Sequence, residues 1–154
     1  MEHYELPYND RVALNATHAL RITHEDLTET TADTDQTLTI DVAAGDLFAV
    51  SCAVLKTPFS DASDAAFNST QITIGDGGDA DRFVAQTQIN ENGTEIDYID
   101  GAAAQNGGYT FLATDTVDIL IESMAAKSLS DLDAGEIWIY YRKVNLRRAP
   151  QPNG

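Results

Sequence analysis

Thr37-Leu38-Thr39-Ile40-Asp41-Val42 places an apolar residue at every second position. That alternation marks a strand with one face in a core and the other in water. Ala43-Ala44-Gly45-Asp46 then supplies a turn, and the stretch 47–56 is apolar almost throughout. A run of that kind is buried on both faces, which predicts a central strand of a β-sandwich. Further strands are expected at 71–74, 83–88, 94–99, 117–123 and 136–146, with a weaker one at 19–27. The last of them, Glu136-Ile137-Trp138-Ile139-Tyr140-Tyr141-Arg142-Lys143-Val144-Asn145-Leu146, has the highest strand propensity in the chain.

Gly-, Asp- and Asn-rich links separate these runs, and Asn92-Gly93 has the chemistry of a tight hairpin turn. Ser128 followed by Asp131 predicts a short helix over 128–133 with Ser128 as its N-cap. A sustained 3.6-residue period is missing throughout. The fold class is therefore all-β: an antiparallel β-sandwich, with a jelly roll among the topologies open to it. At 154 residues one domain is expected. Residues 11–146 form it, flanked by an extended N-terminal arm at 1–10 and a C-terminal tail at 147–154. The arm carries Tyr4, Leu6 and Tyr8 as anchors around Pro7, and Pro150 and Pro152 keep the tail from pairing regularly.

Charge divides the chain unevenly. Residues 1–141 hold all 25 acidic residues against five basic ones, whereas Arg142, Lys143, Arg147 and Arg148 crowd the end. An acidic body repels phosphates, which argues against nucleic acid as a partner. No apolar run reaches the roughly 18 residues that would span a membrane. The N-terminal MEHYELPYND lacks the basic and apolar regions of a secretory signal, so synthesis in a cytoplasm is expected and the sequons at Asn15, Asn68 and Asn92 carry little weight.

Residues able to do chemistry are scattered. Cys52 lies in an apolar run and is expected to be a small core residue. Asp76, Asp79 and Asp81 in the Gly75-Asp76-Gly77-Gly78-Asp79-Ala80-Asp81 loop could wrap a hard cation. The loop departs from the EF-hand pattern, however, and a solvated turn is the simpler reading. His18 and His24 would stand about 20 Å apart on a strand, too far for one metal. Gly-x-Ser-x-Gly does not occur, and carboxylate pairs such as Asp97 with Asp100 or Asp115 with Asp118 arise by chance in so acidic a chain. No cofactor and no enzymatic activity are expected. On the last strand Trp138 and Tyr140 share one face, and Ile137, Ile139 and Tyr141 the other. One face belongs to the core. The aromatic face is read as a subunit interface or further core in preference to a sugar platform.

Several segments resemble small structural proteins of tailed bacteriophages. They run from Phe67-Asn68-Ser69-Thr70 through Ile72-Thr73-Ile74-Gly75-Asp76-Gly77-Gly78, Arg82-Phe83, Asn92-Gly93-Thr94-Glu95, Tyr109-Thr110 and Asp115-Thr116-Val117-Asp118. They end with Leu129-Ser130-Asp131-Leu132-Asp133-Ala134-Gly135-Glu136 before the aromatic strand. The resemblance covers roughly residues 37–146 and consists of turn-and-strand patterns. It implies a non-catalytic virion protein on the capsid exterior, a head-decoration or cement protein, commonly a homotrimer bound to the major capsid protein. Tyr4, Leu6, Tyr8, Trp138, Tyr140, Arg142, Lys143, Arg147 and Arg148 are the expected contact residues. A tail-fibre or baseplate component, or a lectin-like module, is the alternative. Acidity of this degree also suits a saline habitat.

Overall fold

Period-two alternation becomes two packed antiparallel sheets in the computed structural model, which describes residues 1–64, 70–90, 97–100, 108–122 and 126–148. In chain order the strands are β1 (Glu2–Glu5), β2 (His18–Thr23), β3 (Gln36–Val42), β4 (Asp46–Ser60), β5 (Gln71–Asp76), β6 (Asp79–Gln88), β7 (Asp97–Asp100), β8 (Tyr109–Thr110), β9 (Asp115–Glu122) and β10 (Ala134–Asn145). One sheet has the order β1-β2-β10-β4-β7, with β8 also paired to β4; the other has the order β3-β9-β5-β6. The fold class is that of an antiparallel β-sandwich, as the alternation predicts.

The core lies between the sheets. Leu20 and Ile22 from β2, Phe48, Ala53 and Leu55 from β4, and Ile137, Ile139 and Tyr141 from β10 face Ile40, Ile72, Ile74, Phe83, Val117, Ile119 and Ile121 of the opposite sheet. Most of these side chains are fully buried, each stabilising the fold by roughly 1.5–3 kcal/mol relative to exposure. β4 is an interior strand, as its apolar run predicts, and β10 pairs with β2 over Glu136–Tyr141 on one side and with β4 along nearly its whole length on the other. Gly135 is needed where β10 begins. Its φ is +149°, and a Cβ there would stand 2.3 Å from the Phe59 ring.

Three local expectations change. Residues 1–10 are extended only over β1, where they form a sheet edge and not a free arm. The chain then turns at Pro7 into α1 (Tyr8–Leu14), which crosses position 10. Proline fixes φ at −57° there, a value already suited to entering a helix, while buried Leu6 bonds through its amide to the Thr17 carbonyl. The helix expected at 128–133 is a 3₁₀ turn over Leu129–Asp131. Ser128 stands at its N-cap without capping it, because its hydroxyl donates to the Thr30 carbonyl instead.

Cys52 is half-buried opposite Tyr140 and outside the core, because Ala53 and Leu55 take the inward positions of β4. Arg142 and Lys143 belong to β10, inside the strand expected at 136–146. Asn92-Gly93 and Pro150 and Pro152 lie outside the described residues.

Candidate interaction surface

Sheet register decides which side chains meet on the outer face of the six-stranded sheet. β1, β2, β10 and β4 place Tyr4, Ala19, Tyr140 and Cys52 in one row across the strands. The next row of that face holds Glu2, Arg21, Trp138 and Val54. Tyr4 stacks on Trp138 with ring centroids 5.3 Å apart and an interplanar angle of 27°, and Tyr140 follows at 6.4 Å from Trp138. Offset stacking of this kind suits the aromatic quadrupole.

Polar groups stitch the row together. The Tyr4 hydroxyl donates to Glu2 Oε2 at 2.5 Å, and Arg21 donates to Glu2 at 3.3 Å and to Glu136 Oε2 at 2.9 Å. Trp138 Nε1 donates to Glu136 Oε1 at 2.6 Å. Hydrogen bonds from Arg21 and then Trp138 hold the Glu136 carboxyl below its usual range. Bonds from Tyr4 and then Arg21 do the same for Glu2. The shared bond to Glu2 pushes the Tyr4 phenol up. None of Glu2, Arg21 and Glu136 stands out in the sequence, because they are 134 positions apart at the extremes and only the β1-β2-β10 pairing joins them.

α1 covers the neighbouring part of this face. Leu6, Ala16 and Ala19 form a small buried cluster packed by Leu14, Trp138 and Tyr140. A register shift in the β10–β4 ladder makes room for Ser51, whose hydroxyl donates to the Asn15 carbonyl at the end of the helix. Asn15 itself is left-handed, with φ at 49°, a conformation asparagine tolerates. The helix buries none of its own residues fully, and Tyr8 (78% exposed) and Val12 (65% exposed), one turn apart, point to solvent. Of the contact residues expected from the sequence, Tyr4, Leu6, Tyr8, Trp138 and Tyr140 thus gather on one side of the molecule.

The basic residues divide. Arg142 continues the outer face and donates to Asn15 Oδ1 at 3.3 Å. Lys143 points the other way and donates to the Asp41 carbonyl at 2.5 Å, beside the buried carboxylate of Asp46. Arg147 and Arg148 follow in a 3₁₀ turn that is tied to the β3–β4 turn by the Leu146 amide and the Gly45 carbonyl. Next to Lys143 a cleft of roughly 510 Å³ is lined by Asp41, Asp46, Asp115 and Thr116 among others, an acidic lining without a nucleophile–base pair.

Asp76 in the Asp/Gly loop is committed elsewhere. It is 4% exposed, accepts the amides of Gly78 and Asp79 at 2.9 Å each, and receives Arg82 Nε at 2.5 Å. Arg82 in turn lies 4.0 Å over the Tyr109 ring. The loop is a two-residue hairpin turn at Gly77 and Gly78 stapled by an ion pair, with Asp79 3.9 Å from Arg82 Nη1 and Asp81 exposed. Among the described residues no group of three or more His, Cys, Asp or Glu is placed to hold a metal ion.

His3 and His18 make a cluster that sequence reasoning missed. His18 stacks on Tyr141 at 5.2 Å, and His3 Nδ1 lies 3.4 Å from the Tyr141 hydroxyl. Burial lowers the pKa of both. Among the described residues no helix is long and apolar enough to cross a membrane. Comparison with known proteins returns no matching family model, no matching curated protein and no matching solved structure.

Proposed function

We propose that this chain is a non-catalytic structural protein of a tailed-phage particle, one that decorates the capsid exterior and cements its subunits by docking on the major capsid protein. The observation that carries the reading is the aromatic strip of the outer sheet face. There Tyr4, Trp138 and Tyr140 run into the exposed Tyr8 and Val12 of α1, on a domain otherwise dominated by carboxylates. Apolar strips of that kind on an acidic body suit attachment to a protein surface. The acidity keeps unassembled copies soluble. Arg147 and Arg148, at the end of the sandwich, add a salt-sensitive contribution to docking.

The test is cosedimentation of the purified protein with capsids of its own phage that lack it, imaged by electron cryomicroscopy. Density on the capsid shell, together with loss of binding in a Tyr8→Lys/Val12→Lys variant that melts like the wild type, supports the reading. Absence of the protein from particles overturns it, and density at the tail transfers the chain to the fibre or baseplate class.

A further inference from the structure

The sandwich has several strand edges, and they are not alike. β1 carries Glu2 and Glu5; β6 carries Asp79, Asp81 and Arg82, and its ladder with β5 is broken by two register shifts; β7 begins and ends with Asp97 and Asp100. Charges and irregularities of this sort keep an edge from pairing with another chain. Among the described residues β3 is the long strand that departs from this, β8 being only two residues. It is the outermost strand of the order β3-β9-β5-β6, it is seven residues long, and it is uncharged from Gln36 to Ile40 in a chain with 25 acidic residues. Thr37, Thr39 and Asp41 project outward from its sheet and are exposed, and its pairing with β9 has no register shift.

The backbone parity of β3 can be read from one contact. Lys143 Nζ donates to the Asp41 carbonyl, so that carbonyl points away from β9. In an antiparallel ladder the amide and carbonyl of one residue point the same way, and alternate residues point to opposite sides. Thr37, Thr39 and Asp41 therefore direct their amides and carbonyls off the edge, while the even-numbered residues bond β9.

We propose that β3 is a homodimerisation edge, pairing antiparallel with β3 of a second copy about a two-fold axis through Thr39. In that register Thr39 faces the partner's Thr39 and Thr37 faces the partner's Asp41. These are the residues whose backbone groups point off the edge: the Thr39 pair exchanges two hydrogen bonds, and each Thr37–Asp41 pair does the same once the Asp41 carbonyl trades Lys143 for the partner's Thr37 amide. All seven residues of β3 are used. Leu38 falls opposite Ile40 on the core side, and each Asp41 meets a threonine hydroxyl, so no carboxylates oppose one another. The second copy is the occupant because this edge complements itself. A two-fold contact in which one patch meets its own copy closes after two subunits. It joins two four-stranded sheets into one continuous sheet. The dimer departs from the three-fold arrangement that the phage resemblance implies, and it stands independently of the capsid reading.

Sedimentation velocity of the wild-type chain over a concentration series, with far-ultraviolet circular dichroism as the folding control, tests this. A reversible monomer–dimer equilibrium is expected. Thr39→Lys places like charges face to face and should weaken the dimer by roughly tenfold or more, as should Thr39→Glu, since position 39 is exposed and neither change reaches the core. Mixing the two variants should restore a dimer, because lysine then faces glutamate only across the two-fold axis. A wild-type chain that stays monomeric at every attainable concentration overturns the proposal. So does a trimer, or a dimer indifferent to both substitutions. Should either variant fold poorly, amide exchange of the wild type decides: protection at Thr37, Thr39 and Asp41 must rise with concentration, and unchanged protection there refutes the seam.

Discussion

Two arginine–carboxylate clusters hold this sandwich, and they differ in what surrounds them. Asp76–Arg82 is enclosed, with the Asp76 side chain 4% and the Arg82 side chain 16% exposed, and the same carboxylate also secures two turn amides. Glu2–Arg21–Glu136 lies open on the outer sheet face, with side-chain exposures of 56%, 33% and 27%. Both look like ion pairs by distance alone. Water is the difference: a desolvated pair cannot lose one partner cheaply, whereas a solvated one lets water take the vacant place. Stability should therefore rest on the enclosed cluster, while the open one sets the position of β1 and of the aromatic row.

The largest expected effect follows from the enclosed pair. Asp76→Ala leaves Arg82 without its anion and two amides without an acceptor, and it should destabilise the domain by about 3 kcal/mol, the low end for a broken buried pair. Urea denaturation measures it. A loss no greater than that of an ordinary surface substitution would erase the contrast between the clusters. Next comes Trp138→Ala. The indole is half-buried between Tyr4 and Tyr140 and packs on the Leu6 cluster, so truncation should cost roughly 1–2 kcal/mol. The loss should appear first as faster amide exchange in β1. Uniform exchange across both sheets would show that the row supports the whole fold and not its N-terminal edge.

The strand runs were legible because alternation survives any tertiary context: 37–42 and 136–146 announce β3 and β10 within one or two residues. Trp138 and Tyr140 against Ile137, Ile139 and Tyr141 could likewise be assigned to opposite faces by counting. The partners of those faces could not. Glu2, Arg21 and Glu136 meet through two strand pairings, and the N-terminal segment resembles an arm in sequence because four residues carry too little pattern to reveal an edge strand. The basic end was legible for the opposite reason. Arg142 and Lys143 are charged, yet the alternation of Ile137, Ile139 and Tyr141 keeps the strand going through them. A truncation meant to probe docking by Arg147 and Arg148 must fall after Leu146, since one at Arg142 removes part of β10.

A third prediction concerns pH, and it separates the histidines around Tyr141 from both ion-pair clusters. His3 and His18 crowd Tyr141, and burial, the leading cause in each, lowers their pKa from the ordinary 6.5. The N-terminal ammonium and Lys143 depress His3 further, while Glu5 opposes the shift at His18. Between the depressed folded values and 6.5 the unfolded chain binds more protons, so stability should fall as pH drops through that window and level off below it. Denaturation midpoints across this range, compared with those of a His3→Gln/His18→Gln variant, isolate the effect. A variant with the same slope as the wild type would assign the loss to carboxylates instead.

The smallest effect should come from the open cluster itself. Arg21 bridges Glu2 and Glu136 from a partly exposed position open to water, and screening leaves little net stabilisation in such a bridge. Arg21→Met keeps much of the side-chain stem against Trp138, so the denaturation midpoint should barely move in high salt and only slightly in low salt. Acid should reveal it more clearly. Arg21 is the first cause of the depressed Glu136 carboxyl, so the stabilisation this carboxylate adds above its unfolded pKa is lost as pH falls through the lower folded value. In the Met variant Glu136 should titrate closer to its usual range and that acid dependence should flatten, while Asp76–Arg82 is untouched. A midpoint shift as large as that of Asp76→Ala would mean that the outer face is drier than its exposure suggests, and that the two clusters hold the sandwich on equal terms.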